Sequence, residues 1–160
     1  FSVKQNLVRK LLPLFSTHYQ TYKKDFYMTD WCSRNTKNLV HAIDRLFNLK
    51  SFNAKAVYVT SKKEGSSFYP QNARQSKVGW KFHSFLLIDG HVLDLDFSKK
   101  PKIVPALEYL KEMFGDQLDD LQFQLRSPLD SPGYTYQEVL KGFNSKKYKA
   151  EDATSLLESL

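Results

Sequence analysis

The chain has few of the residues that staple a fold or carry it through a bilayer. It contains one cysteine in 160 residues, so no internal disulfide can form and the fold must rest on packing. No apolar run approaches the ~20 residues that span a membrane. The longest candidate, Leu11 to Phe15, is interrupted by Pro13, so no membrane partner is expected. The four histidines (His18, His41, His83 and His91) are dispersed. Structural zinc sites draw several Cys or His from close spacing, so neither a metal nor another cofactor is expected. Phe1-Ser2-Val3-Lys4 lacks the charged-then-apolar order of a signal peptide. A first residue other than Met fits either a removed leader or a trimmed chain.

Acidic residues are the minority, 17 against 24 Lys and Arg, which leaves a net charge of +7 and a pI of about 9.4. Such a balance first suggests nucleic acid. The basic residues are scattered, however, apart from Lys99-Lys100-Pro101-Lys102 and Lys146-Lys147-Tyr148-Lys149. Short lysine runs beside turns read as solvated surface, so no nucleic-acid partner is expected and a mild preference for acidic partners is. With 41% hydrophobic and 26% charged residues, the composition is that of one globular domain with its own core.

Periodicity predicts an α+β order, helices then strands then helices. Residues 3 to 27 read as helical, with Leu7, Leu11, Leu12, Leu14 and Phe15 as the apolar stripe and Pro13 kinking or dividing it. Asp30 is placed to cap a second helix from Trp31 to about Asn48, whose stripe is Leu39, Val40, Ile43, Leu46 and Phe47. Asn53 to Ser61, Gly79 to Ile88 and His91 to Phe97 alternate as strands, with Asp89-Gly90 as a two-residue turn. Lys62 to Lys77 reads as a surface loop and a candidate flap over a site. Helical spacing returns at Val104, Leu107, Leu110, Lys111 and Phe114 and stops at Gly115. Leu121 to Leu125 reads as a short strand, Thr135-Tyr136-Gln137-Glu138 as a capping box, and Ala150 to Leu160 as a last helix. The expected organisation is a single catalytic domain over 1–160, with N-terminal helices in 1–29, a chemical core in 30–98 and a helical part in 99–160.

Three residues in that core have complementary chemistry. Cys32 falls in the first turn of its helix, on the line of Thr36, Leu39 and Ile43 that faces inward. Unpaired amides and the positive dipole end there favour a thiolate and can hold an oxyanion. The Asp89-Gly90 turn sets His83 opposite Asp96 and Phe85 opposite Asp94, so the histidine and both carboxylates share one face. Asp96 is the direct neighbour of His83 and Asp94 the diagonal one, and spacing does not choose between them. A free thiol with a pKa near ~8.5 is mostly protonated at neutral pH, and an imidazole held by a carboxylate can draw the proton off. Taken singly, a buried Cys, a core His, and two Asp that flank a bulge or of which one caps a turn, are all ordinary. Together they are less so, because an inward carboxylate needs a partner. Trp31, Trp80 and Phe82 flank these residues as candidate walls of a substrate cleft, with plain packing as the competing reading. A non-catalytic, basic protein-interaction domain is the alternative for the whole chain.

A helix-borne Cys followed by His and Asp on successive strands resembles the transglutaminase-like, papain-like cysteine enzymes. The likeness is closest to the protein-glutaminases, which deamidate glutamine side chains in proteins. It is carried by Cys32-Ser33-Arg34, by Val78-Gly79-Trp80-Lys81-Phe82-His83, by Val92-Leu93-Asp94 with Phe97 beyond, and by Leu125-Arg126-Ser127-Pro128, over about residues 30 to 136. The chain departs from that family at Asp94-Leu95, where Asp-Pro is usual, in its shorter hairpin and in having no disulfide. The resemblance implies a papain-like fold and a thioester mechanism with Cys32 as nucleophile, His83 as acid and base and Asp94, rather than Asp96, as orienter. It further implies a protein substrate with an accessible glutamine, a pro-segment or inhibitor as partner, and a secreted, periplasmic or effector-like location. Transglutamination and proteolysis use the same triad and remain the alternative reactions.

Overall fold

The computed structural model describes residues 3–21, 32–73, 79–129, 135–145 and 147–160, the side chains of 3–7, 32 and 33 excepted. Within them the fold is α+β, with five helices and a six-stranded, open, antiparallel sheet. The chain runs α1 (Val3–Thr21), α2 (Cys32–Phe47), β1 (Ala54–Ser61), β2 (Phe82–Ile88), β3 (His91–Leu93) and β4 (Ile103–Pro105). It continues with α3 (Ala106–Phe114), β5 (Leu121–Arg126), α4 (Tyr136–Asn144), β6 (Ala150–Glu151) and α5 (Ala153–Glu158). The sheet order is β4-β3-β2-β1-β5-β6. No described helix is long and apolar enough to cross a membrane.

Strand alternation sends successive side chains to two different layers. On one face Leu86, Ile88, Leu93 and Ala54 pack against Leu11 and Phe15 of α1 and Leu39, Val40 and Ile43 of α2. On the other face Val57, Val59, Phe85, Leu87 and Val92 pack against Tyr109, Leu110, Met113 and Phe114 of α3 and Leu156 of α5. Leu39, Val40 and Ile43 are each at most 1% exposed, so each contributes roughly 1.5–3 kcal/mol through burial. The α2 layer is therefore firmly seated on β2.

The hairpin forms with the expected register, Ile88 opposite His91, Leu87 opposite Val92 and Leu86 opposite Leu93. Asp89 and Gly90 both adopt positive φ, 47° and 81°, which the tight turn requires. The third strand is shorter than expected, ending at Leu93 instead of Phe97. Asp94 causes this, because its Oδ1 accepts the Asp96 amide at 2.8 Å and its carbonyl accepts Phe97 N–H at 3.2 Å. That local turn takes the backbone out of the ladder. Phe97 pairs instead with Ala73, and the Ser98 carbonyl accepts the buried Tyr19 hydroxyl at 2.7 Å. The turn after β3 is thus clamped from both sides.

Other expectations change in detail. Pro13 does not divide the first helix, which runs unbroken through it, and Leu12 is exposed rather than part of the stripe. Val104 is in β4, not in a helix, so α3 starts later and its phase differs. Leu107 faces solvent, and Tyr109 and Met113 join Leu110 and Phe114 in the core. Residues 99–160 are not purely helical, since Ala150 and Glu151 pair with β5 and only Ala153–Glu158 forms the last helix, capped by Asp152. The 62–77 segment is no plain loop where it is described. Phe68 is buried and exchanges two backbone bonds with Trp80, at 2.9 and 2.8 Å. The expected Thr135 cap is present, its hydroxyl accepting from Glu138 N–H at 3.2 Å. Asp30, Trp31 and positions 22–27 of the expected first helix lie outside the described residues.

Candidate active site

His83 sits one residue inside β2 and is fully buried, with its ring on the α3 side of the sheet. Its Nε2 lies 2.6 Å from Asp94 Oδ2. Tyr109 of α3 donates its hydroxyl to the same oxygen at 2.5 Å, while Oδ1 holds the Asp96 amide. Asp94, 2% exposed, therefore has both oxygens engaged, and its burial is compensated by three donors. The half-buried Trp80 covers the imidazole, ring centroids 4.7 Å apart and planes at 40°, and Phe85 follows at 6.2 Å. The result is a fixed His-Asp pair in an apolar setting.

Asp96 is near the pair but not the ladder neighbour of His83, because the strand has already ended. One ligand atom from each of His83, Asp94 and Asp96 falls within 4.8 Å of the others, a grouping with the chemistry to take a cation. The distances decide against it. Two ligands about 2.1 Å from one ion, at tetrahedral or octahedral angles, stand roughly 3–3.4 Å apart. The 2.6 Å between Nε2 and Oδ2 is a hydrogen bond.

Cys32 opens α2, as expected, and its side chain lies outside the described residues. The helix packs on the sheet face opposite the His83 ring, an arrangement that spacing along the chain did not reveal. The two faces nevertheless communicate at one edge. In a two-residue hairpin, Ile88, Leu86 and Ser84 aim their backbone groups towards the β3 side. Since β3 stops at Leu93, the Ser84 carbonyl finds no strand there and accepts the Thr36 hydroxyl of α2 at 3.1 Å. The first turns of α2 are therefore docked at the open edge of β2, beside the residue adjoining His83.

Of the expected cleft residues, Trp80 does lie against His83, whereas Phe82 faces the other way, onto Ala56, Tyr58, Val139 and Phe143. Trp31 is outside the described residues. Sequence reasoning missed Tyr109. The available signal was a tyrosine between Ala106 and Met113 on a helical core line, because a buried phenol needs a hydrogen-bond partner. It also missed two buried polar groups in the α2–β2 layer, Asn35 Nδ2 and Ser84 Oγ, neither of which has a hydrogen-bond partner among the described residues. Asn35 lies one turn beyond Cys32, and helical side chains lean back over the preceding turn. No protein-family model matches the chain, and no curated protein matches it.

Proposed function

We propose that the protein is a cysteine-dependent hydrolase that deamidates glutamine side chains in other proteins, through a Cys32-His83-Asp94 triad on a transglutaminase-like fold. The observation that carries the reading is the buried 2.6 Å His83–Asp94 hydrogen bond, formed where the helix headed by Cys32 docks on the open edge of β2. A buried imidazole with one nitrogen fixed by a carboxylate is set up for proton transfer at the other.

In this reading Nε2 is held by Asp94, so Nδ1 takes the proton of the Cys32 thiol. The thiolate attacks the carboxamide carbon, forming the C–S bond while the carbonyl π electrons move to oxygen. Amides at the start of α2 stabilise that oxyanion. The C–N bond then breaks, His83 returns its proton to the departing ammonia, and a thioester remains. Water gives a proton to Nδ1 as it attacks the thioester. The C–S bond breaks, the proton returns to sulfur, and glutamate is released. A lysine amine in place of water gives a crosslink, and a backbone carbonyl in place of the carboxamide gives proteolysis.

The resemblance at Cys32-Ser33-Arg34, Trp80 to His83 and Val92 to Asp94 favours the carboxamide. Incubation with a glutamine-rich protein should release ammonia without new peptide termini or crosslinks, and Cys32→Ser should abolish the release. Fragments would replace this reading with a protease, crosslinks with a transglutaminase. Ammonia release that survives Cys32→Ser would end it, and no product from the native chain would favour a non-catalytic basic interaction domain.

A further inference from the structure

Asp94 Oδ2 carries two donors, and only one belongs to the triad. The second is the Tyr109 hydroxyl, which arrives from α3, 15 positions further along the chain. The tyrosine ring is completely buried and wedged among Phe85, Phe97 and Phe114, with centroid separations of 4.6, 5.0 and 5.9 Å. A phenol held this firmly cannot swing away from the carboxylate without disturbing the aromatic layer. Among the described residues, the titratable groups gathered at His83 include Asp94 and Asp96 from the turn after β3 and Tyr109 from α3. The β1 residue opposite His83 is Val59, and Trp80 and Phe85 supply apolar rings.

We propose that Tyr109 is a positioning residue for the His83–Asp94 pair, aiming Oδ2 at Nε2 and drawing off part of the negative charge that would otherwise act on the imidazole alone. The proposal rests on the triad reading for its role in catalysis, but its physical content concerns His83 and can be measured without turnover. A hydrogen bond to a carboxylate disperses its charge. The phenol thereby limits how strongly Asp94 stabilises the imidazolium. The same hydroxyl keeps Oδ2 from rotating towards another donor.

The test is an NMR titration of the His83 ring in the native chain and in Tyr109→Phe, which keeps the packed ring and removes only the hydroxyl. The His83 midpoint should rise by about 0.5–1 pH unit, the worth of one hydrogen bond to the shared oxygen. In an Asp94→Asn background the same substitution should move the midpoint by much less, since no charge is left to disperse. An unmoved midpoint in Tyr109→Phe overturns the proposal, and so does an equal shift in both backgrounds. The acid limb of ammonia release should move up with the His83 midpoint. A native chain that releases no ammonia, while its His83 midpoint still shifts as stated, refutes the deamidase reading and upholds the role of Tyr109 towards the imidazole.

Discussion

Replacement of Asp94 separates what the residue does for folding from what it does for chemistry. Its carboxylate accepts from Asp96 N–H, from His83 and from the Tyr109 hydroxyl, all within 2.8 Å and all away from water. Asp94→Ala leaves those three donors without an acceptor and opens a small cavity. A buried donor left unmade costs about 1–3 kcal/mol, so the substitution should cost about 3–6 kcal/mol after partial relaxation. Against a total stability of about 5–15 kcal/mol, that is enough to unfold a large share of the molecules at 37 °C. Asp94→Asn behaves differently. Its oxygen can still accept from Asp96, while its NH2 faces Nε2 and the phenol, both of which can turn acceptor, so the loss should be about 1–2 kcal/mol. The imidazole then carries its proton on Nδ1, the wrong nitrogen for a base, and turnover should fall about 10³–10⁴-fold in a folded protein. Urea unfolding of both variants beside the native chain, with ammonia release measured below the transition, checks each half. Asp94→Ala losing less than about 1 kcal/mol would refute the three-donor account, and an active Asp94→Asn would refute the orienting role.

Ile43→Ala, on the fully buried face of α2 against Leu86 and Ile88, should cost about 2–5 kcal/mol in the same unfolding assay, and a smaller loss would mean that α2 is not seated on the sheet. Thr135→Ala removes the α4 cap and should cost about 1 kcal/mol, with Thr135→Ser close to native. Ser84→Ala deletes a buried hydroxyl that has no partner among the described residues, so stability should stay level or rise by up to about 1 kcal/mol, and a loss of more than about 1 kcal/mol would show a bond at Ser84 Oγ. Burial, and after it the Arg45 charge, holds the half-buried His18 imidazole below its ordinary 6.5. The fold therefore favours neutral His18. That contribution is complete above about pH 6.5 and is lost as the pH falls towards the depressed folded value, because the unfolded chain then binds the extra proton. His18→Gln should flatten the decline in stability between about pH 6.5 and pH 5, and an unchanged slope would show that His18 is not its source.

Local chemistry was legible wherever a residue type admits few conformations. Asp89-Gly90 announced the hairpin and its register, Gly115 the end of α3, and Thr135 the start of α4. Alternation placed His83 and two carboxylates on one face, but only the resemblance, not the spacing, singled out Asp94. What escaped depends on competition between a side chain and the ladder. Asp94 ends β3 by capping its own turn, and no pattern of apolar residues records that. Because the strand ends there, Asp96 leaves the ladder and Asp94 takes the imidazole. Nor does periodicity within one element say which face another element covers, so the seating of α2 opposite the His83 ring was invisible. Tyr109 was missed for a related reason, since Val104, which opens the helical pattern expected after Pro101, in fact lies in β4. That error rotated the inferred core line of α3.

Alkylation of Cys32 by iodoacetamide across the pH range, in the native chain and in His83→Ala, tests the pairing of sulfur with imidazole most directly. The native thiol should react at pH 6–7 far faster than a free model thiol, whose pKa is near ~8.5, and the variant should lose most of that advantage. A native rate that rises only around pH 8.5 and does not change in His83→Ala would mean that Cys32 and His83 do not act together.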